Sequence, residues 1–300
     1  MVDIVKLQTL DKFMGINNVD PDTRLVPVVV NREYVYPLLQ AANVIIDNSY
    51  GIASRPGFDD VLTGTDVHSL WSDGTTALFV DAASLKKLNT DYTTVTLRSV
   101  TAGARMSYAP WNTRVYYTNG YEIGYVLGST SNLLVDPALE FKMPLPAGKF
   151  IEYYRGCLYV ANDNVLYRSD PLCDYFDVRK GYHQFSGNIT MLRAVDTGLY
   201  VADEKVWWLK GDTGDEFDRT EAYSSKPIPY TDIRTNGQNV GDGAKGNVAL
   251  WTGKSGICIG DNSGQVVNLT EARYTFAECS EGAVFVRESG NVRHYVNSLF

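Results

Sequence analysis

Tyr159-Val160-Ala161-Asn162-Asp163-Asn164-Val165-Leu166-Tyr167 and Tyr200-Val201-Ala202-Asp203-Glu204-Lys205-Val206-Trp207-Trp208 align without a gap. Each reads as a short aromatic strand, a tight polar turn and a second short strand. Asn and Asp tolerate positive φ, so both turns have the chemistry of a hairpin. A further strand precedes each pair, at 150–154 and at 191–195. The pattern extends back to Arg114-Val115-Tyr116-Tyr117 and Thr76-Ala77-Leu78-Phe79-Val80. With the central aromatic as marker, Phe79 to Tyr116 is 37 residues, Tyr116 to Tyr159 is 43 and Tyr159 to Tyr200 is 41. Several short strands repeating every 40 to 45 residues or so are the mark of a β-propeller. A β-sandwich shares the turn spacing but gives no reason for a repeat.

Later units are less regular. Segments 248–251, 256–259 and 266–269 suggest three strands, with Asp261-Asn262-Ser263-Gly264 as a turn. Tyr200 to Cys258 is 58 residues, and the excess falls in 211–246, rich in Gly, Asp and Asn, which reads as a long, elaborated loop with room for one outer strand. The last unit offers strands at 274–279, 284–286 and 292–296 and lacks an outermost one. Counting from Val67 gives about six blades. Ahead of them, 42–47 and 52–55 read as a hairpin. An open sheet edge leaves backbone groups unpaired, so Val44, Ile45, Ile46 and Ile52 are expected to close the ring. The organisation expected is an extended arm over 1–41 and a propeller over 42–300, with the closing hairpin at 42–58.

Composition narrows the function classes. A chain of 300 residues can bury a large core. Helical periodicity is scarce, with 36–43 the best place for a short turn. Twenty tyrosines suit half-buried strands. The start, Met1-Val2-Asp3-Ile4-Val5-Lys6, does not resemble a signal peptide, and no apolar run approaches membrane-spanning length, so cytoplasmic synthesis and no membrane insertion are expected. Cys157, Cys173, Cys258 and Cys279 lack zinc spacing and read as free thiols. A net charge of −8 argues against a nucleic-acid reader, though not against a passage that DNA slides through.

Catalytic signatures are weak. His68, His183 and His294 are far apart, and there is no His-Glu-x-x-His run, Gly-x-Ser-x-Gly elbow or phosphate loop. Ser72-Asp73-Gly74-Thr75-Thr76 is similar to the Asp-box turn of sialidase-type propellers, but its Asp and Gly are adjacent and the terminal Trp is missing. Asp212-Thr213-Gly214-Asp215-Glu216-Phe217-Asp218 could offer oxygens to calcium, without the spacing of a known calcium loop. The expectation is therefore no catalytic residue, no metal, no cofactor and no enzymatic activity.

The most informative stretch outside the repeat is Phe13-Met14-Gly15-Ile16-Asn17-Asn18-Val19-Asp20-Pro21, followed by Ala42-Asn43-Val44-Ile45-Ile46-Asp47 and Arg55-Pro56-Gly57-Phe58. It resembles the opening of a group of tailed-bacteriophage virion proteins, which runs Phe-x-Gly-Ile-Asn-Asn, Ala-x-Asn-Val-Asp-Ile-Asp and Arg-x-Pro-Gly before a β-propeller. In plan the chain also resembles the tail-nozzle propellers called packaged-DNA stabilisation proteins. It departs from the group in having Ile45 where Asp is common, and in being shorter than most nozzle proteins. The resemblance covers about 50 residues by motif. It implies a virion tail subunit, made in the host cytoplasm and arranged as a ring of identical copies around the tail axis. Other tail proteins would be neighbours, and DNA would pass through.

Physical chemistry supplies a job for the arm. Residues 1–40 have too few periodic apolar positions for a core of their own, so they gain order by lying on another surface. Phe13 and Ile16 are apolar anchors, and Gly15, Asn17, Asn18 and Pro21 permit a sharp turn. These six are the expected interface residues. The competing expectation is a carbohydrate-binding or carbohydrate-hydrolysing propeller for host attachment, with Trp71, Trp111 and Trp251 stacked on sugar rings.

Overall fold

The computed structural model describes residues 12–21, 25–42, 44–46, 49–55, 57, 60–211, 217–240, 245–270, 273–289 and 292–300. Strands β1 (Phe13–Ile16), β2 (Val28–Val30) and β3 (Glu33–Leu38) form a sheet ordered β1-β3-β2, and β4 (Val44–Ile46) pairs with β5 (Ile52–Ser54). Four-stranded antiparallel sheets then follow one another. The first is β6 (Val67–Ser72), β7 (Ala77–Asp81), β8 (Ser84–Leu88) and β9 (Thr94–Ser99); the second is β10 (Ser107–Trp111), β11 (Arg114–Thr118), β12 (Ile123–Leu127) and β13 (Thr130–Leu133). Strand β14 (Lys142–Pro144) stands aside from the third sheet, which comprises β15 (Phe150–Tyr154), β16 (Cys157–Asn162), β17 (Val165–Arg168) and, after β18 (Tyr175–Asp177), β19 (Tyr182–Gln184). β14 pairs with β18. The fourth sheet is β20 (Met191–Ala194), β21 (Gly198–Ala202), β22 (Val206–Lys210) and β23 (Asp218–Tyr223); the fifth is β24 (Ile233–Asn236), β25 (Asn247–Gly253), β26 (Gly256–Gly260) and β27 (Val266–Asn268). A two-stranded sheet, β28 (Gly282–Ser289) with β29 (Val292–Leu299), ends the chain.

The architecture is all-β and of the propeller kind. First strands of successive sheets are neighbours: the Ser69 hydroxyl accepts from the Met106 N–H at 2.9 Å, and the Ser107 hydroxyl from the Ile151 N–H at 3.1 Å. Apolar side chains fill the gaps between sheets. Leu78, Val80, Tyr108 and Tyr117 pack between the first and second, and Trp111, Tyr116, Leu158 and Val160 between the second and third. Tyr154, Tyr159, Leu192 and Leu199 lie between the third and fourth, and Tyr200, Trp208, Ala249 and Trp251 between the fourth and fifth. Second strands are therefore covered on both faces: all of β21 is buried. Fourth strands meet water and are polar, as in β23.

Acidic residues at or beside the second turn of a sheet latch the chain that enters it. Asp81 accepts from the Thr65 N–H at 2.9 Å, and Glu122 from the Thr101 N–H and hydroxyl at 3.0 and 2.6 Å. Asp203 accepts from the Ser186 hydroxyl and the Trp207 indole at 2.7 and 2.8 Å. Its buried position raises its pKa, but these donors with the Lys205 and Gly187 N–H groups overcome that and hold it at about 2.

Several expectations are corrected. Segment 211–246 carries the outer strand β23 and, beyond the single strand expected, β24, which opens the next sheet. Cys258 lies on β26, the third strand of its sheet, so the 58-residue step overshoots the equivalent position. Segment 36–43 begins in a strand, β3, and 274–279 forms none. The hairpin β4–β5 has no ladder to β28 or β29 among the described residues. Its turn belongs to the N-terminal layer, because the Phe13 N–H donates to the Tyr50 carbonyl at 2.7 Å. Residues 1–11 of the arm, Asn43, Asp47, Pro56 and Phe58 of the motif, and 212–216 of the acidic loop lie outside the described residues.

Candidate functional site

Three places gather chemistry: the inner strands, a cleft between two sheets, and the N-terminal layer. On the inner strands, Arg193 of β20 reaches both ways. Its Nη1 lies 3.0 Å from Glu152 Oε2 on β15; its Nη2 lies 2.6 Å and its Nε 2.8 Å from Asp232 Oδ2, just ahead of β24. Arg234 approaches Glu152 at 3.7 Å. Glu152 and Asp232 are almost wholly buried. Burial works against the charge on Arg193, but Asp232 and then Glu152 outweigh it, so its pKa is raised and the guanidinium stays charged. One planar, multidentate cation thus ties three sheets together. Both carboxylates are committed to it.

Beside this cluster, Arg105 Nη2 donates to the Gly282 carbonyl at 2.8 Å, and its guanidinium lies 4.7 Å from the Tyr230 ring centre. Burial pushes the Tyr230 hydroxyl up to about 12. His68 Nδ1 meets the Ser69 hydroxyl at 2.7 Å, while Nε2 is buried with no partner among the described residues. Its pKa is lowered, by burial first and by Arg105, against the opposing pull of Asp66 and Glu281.

A cleft of about 440 Å³ opens between the β10–β11 hairpin and the loop from β17 to β19. Trp111, Arg114, Tyr116, Leu172, Asp174 and Tyr175 line it. The Arg114 guanidinium lies 4.2 Å from the Tyr125 ring centre. Its Nη1 donates to the Tyr116 hydroxyl at 3.2 Å and to Asp174 Oδ2 at 3.4 Å. Arg114 and Asp174 side chains are 40% and 33% exposed. The far wall is pinned, since buried Asp177 takes Arg179 at 2.7 Å and Lys142 at 3.1 Å.

In the N-terminal layer, Asn17 Oδ1 accepts from the N–H groups of Val19 and Asp20, closing an Asx turn. Asn18 docks like a strand: its N–H donates to the Arg273 carbonyl, and its side-chain amide exchanges two 2.9 Å bonds with Thr275. Gly15 sits at φ +105, where a side chain would be strained. Phe13, Gly15, Ile16 and Asn17 are half-buried on their own chain; Asn18 and Pro21 are exposed. Val44, Ile45 and Ile46 are half-buried and Ile52 is exposed. Val29 and Tyr34, paired across β2–β3, are 60% and 56% exposed.

Other sequence candidates scatter. Trp251 is fully buried, so it cannot stack on a sugar. Trp111 lies between the rings of Tyr116 and Tyr153, each 5.7 Å away, leaving an edge for the cleft. Trp71 stacks on Tyr108. His183 and His294 are half-buried on other strands. None of the four cysteines is in a disulfide. Among the described residues no group of three His, Cys, Asp or Glu could hold a metal ion, and no helix is long and apolar enough to cross a membrane. Sequence reasoning missed Glu152 and Arg193. The signal was present: they lie 41 residues apart, the same step as Tyr159 to Tyr200, with opposite charge at equivalent places in apolar strands.

No family model matches the chain, and no curated protein matches it. Among solved structures it is similar to a gluconolactonase from Xanthomonas campestris, at 14% identity over 79% of this chain and 86% of that one, with a TM-score of 0.47. It is similar to virginiamycin B lyase from Staphylococcus aureus at 12% identity, over 92% and 94% of the two chains, with a TM-score of 0.46. The Pan2 WD40 domain of Neurospora crassa gives 12% identity, 77% and 74% coverage, and a TM-score of 0.48. No activity and no residue role passes to this chain at such distances. One expectation is nevertheless corrected. Enzymes stand among these propellers, so the expected absence of catalytic activity does not hold as a conclusion.

Proposed function

We propose that this chain is a structural subunit of a tailed-phage tail, one of several identical copies arranged around the tail axis. The observation that carries the reading is the placement of the Phe13–Asn18 motif. The segment that resembles the opening of phage virion propellers folds as β1 and is fastened by Asn18 to Arg273 and Thr275. It thereby carries a thin β layer whose outer face, at Val29 and Tyr34, is left to solvent. Apolar side chains exposed on a small sheet suit a neighbouring subunit, and a single interface repeated by rotation closes into a ring.

In this reading the sheets from 67 to 299 are six blades, the last reduced to β28–β29 and held to the start of the second by the Arg105–Gly282 bond. DNA passes through the lumen of the assembled ring, since the ion-paired Glu152 and Arg193 on the subunit's own inner strands, with Asp232 just ahead of β24, occupy its own middle. A neutral or negative lumen lets the duplex slide. Neighbouring tail proteins complete the contacts, and the protein resides in the virion.

The test is incorporation. Particles are raised in a host that supplies only Val29→Glu/Tyr34→Glu protein. The variant should fold as the parent does and be missing from purified particles. Normal incorporation, or absence of the parent chain from particles, would refute the proposal.

A further inference from the structure

We infer that the cleft between the β10–β11 hairpin and the β17–β19 loop is a saccharide-binding site. This stands on the cleft alone and is independent of the virion reading. The volume, about 440 Å³, lies within the range of small-molecule pockets. Its chemistry narrows the ligand. Arg114 is held as an oriented plate by the Tyr125 ring and the Tyr116 hydroxyl. Both of its bonds leave from Nη1; its Nε and Nη2 protons meet no acceptor among the described residues. The contact with Asp174 is single and long at 3.4 Å, so both groups keep bonding capacity toward the cleft.

An anion docking on Arg114 would meet the Asp174 carboxylate, and a cation docking on Asp174 would meet the guanidinium. A neutral ligand whose groups both donate and accept satisfies the pair together: one hydroxyl takes protons from Arg114 while a neighbouring hydroxyl gives its proton to Asp174. Sugars present such hydroxyls side by side on one ring. They also have apolar C–H faces, and the cleft has apolar walls to receive them in the Trp111 edge, Tyr175 and Leu172.

Leu172 supplies a second observation. It is 73% exposed at the rim, and its backbone sits at φ +60, a region a leucine seldom adopts. Its N–H is tied to the Gly156 carbonyl at 2.7 Å, which fixes the backbone at this wall of the cleft. An exposed leucine beside an oriented Arg–Asp pair gives a ligand apolar surface to cover.

The experiment uses the purified full chain and a panel of glucose, galactose, rhamnose, N-acetylglucosamine, maltose and lactose, with sodium acetate and phosphate as anionic controls. Saturation-transfer NMR detects contact, and titration up to about 10 mM spans the weak affinities of single sugars. At least one saccharide should bind. Arg114→Ala and the near-isosteric Asp174→Asn should each weaken it at least tenfold, on the order expected for a charged hydrogen bond, with unchanged thermal unfolding. Failure of the whole panel to bind overturns the inference. So does saccharide binding indifferent to both variants, or binding of acetate or phosphate in place of sugars.

Discussion

The fourth sheet and the N-terminal layer are both made of short aromatic and β-branched strands, yet they end in opposite environments. Every residue of β21 is buried, whereas in β2 and β3 only Val35 is. Strand propensity is comparable; what differs is cover. β21 lies between neighbouring strands of its own sheet, with packed sheets on both faces. The layer has one anchored flank, where Asn18 meets Thr275, and a free face at Val29 and Tyr34. Place in the stack decides burial.

The largest effects should come from breaking the stack. Trp251→Ala removes a fully buried indole between the fourth and fifth sheets and should cost about 3–5 kcal/mol in urea unfolding. Arg193→Met leaves Glu152 and Asp232 buried without their cation, a loss of about 3–5 kcal/mol. Adding Glu152→Gln and Asp232→Asn to Arg193→Met should recover part of that loss, because the uncompensated charge is gone. No recovery would mean that Arg193 acts through packing.

An intermediate effect follows from Asp203. Its folded pKa, about 2, lies below the usual carboxylate value of 3.8. Its stabilisation is therefore complete above that usual value and is lost as pH falls through about 2. Acid unfolding of the parent should steepen between these limits, and Asp203→Asn should flatten the curve there while lowering stability at neutral pH. An unchanged acid limb would show that the latch carries no linkage.

How much of this was readable before the fold was known follows from the same contrast in cover. The second and third strands announced themselves because burial on both faces forces aromatic, apolar residues, as in 159–167 and 200–208. The two strands within 211–246 were far less legible. Asp218-Arg219-Thr220-Glu221 faces water and looks like loop, and β24 carries Arg234 and Asn236 in so short a run that its pairing with β25 has no sequence signature. The cleft was illegible for another reason: Arg114 and Asp174 are 60 residues apart and meet only because the second and third sheets pack together. The fastening of the opening segment was illegible for the same reason, since its partners at 273–275 lie far along the chain.

Smaller effects belong to the layer. Asn18→Ala removes the paired bonds to Thr275 and should cost about 1 kcal/mol, read as faster hydrogen exchange at the Thr275 amide with little change in global unfolding. Val29→Glu/Tyr34→Glu should leave unfolding within about 0.5 kcal/mol of the parent, as for surface positions. A large loss of stability in that double variant would place the face inside the fold and erase the contrast with the stack.

The decisive measurement is quantitative mass spectrometry of purified phage particles bearing the parent chain or the Val29→Glu/Tyr34→Glu variant, with both proteins folded equally well in solution. A tail subunit that assembles through the exposed face of β2–β3 is present in parent particles at a fixed multiple of other tail proteins and depleted when that face is charged. Equal amounts in both preparations, or no parent protein in the particles, would contradict it.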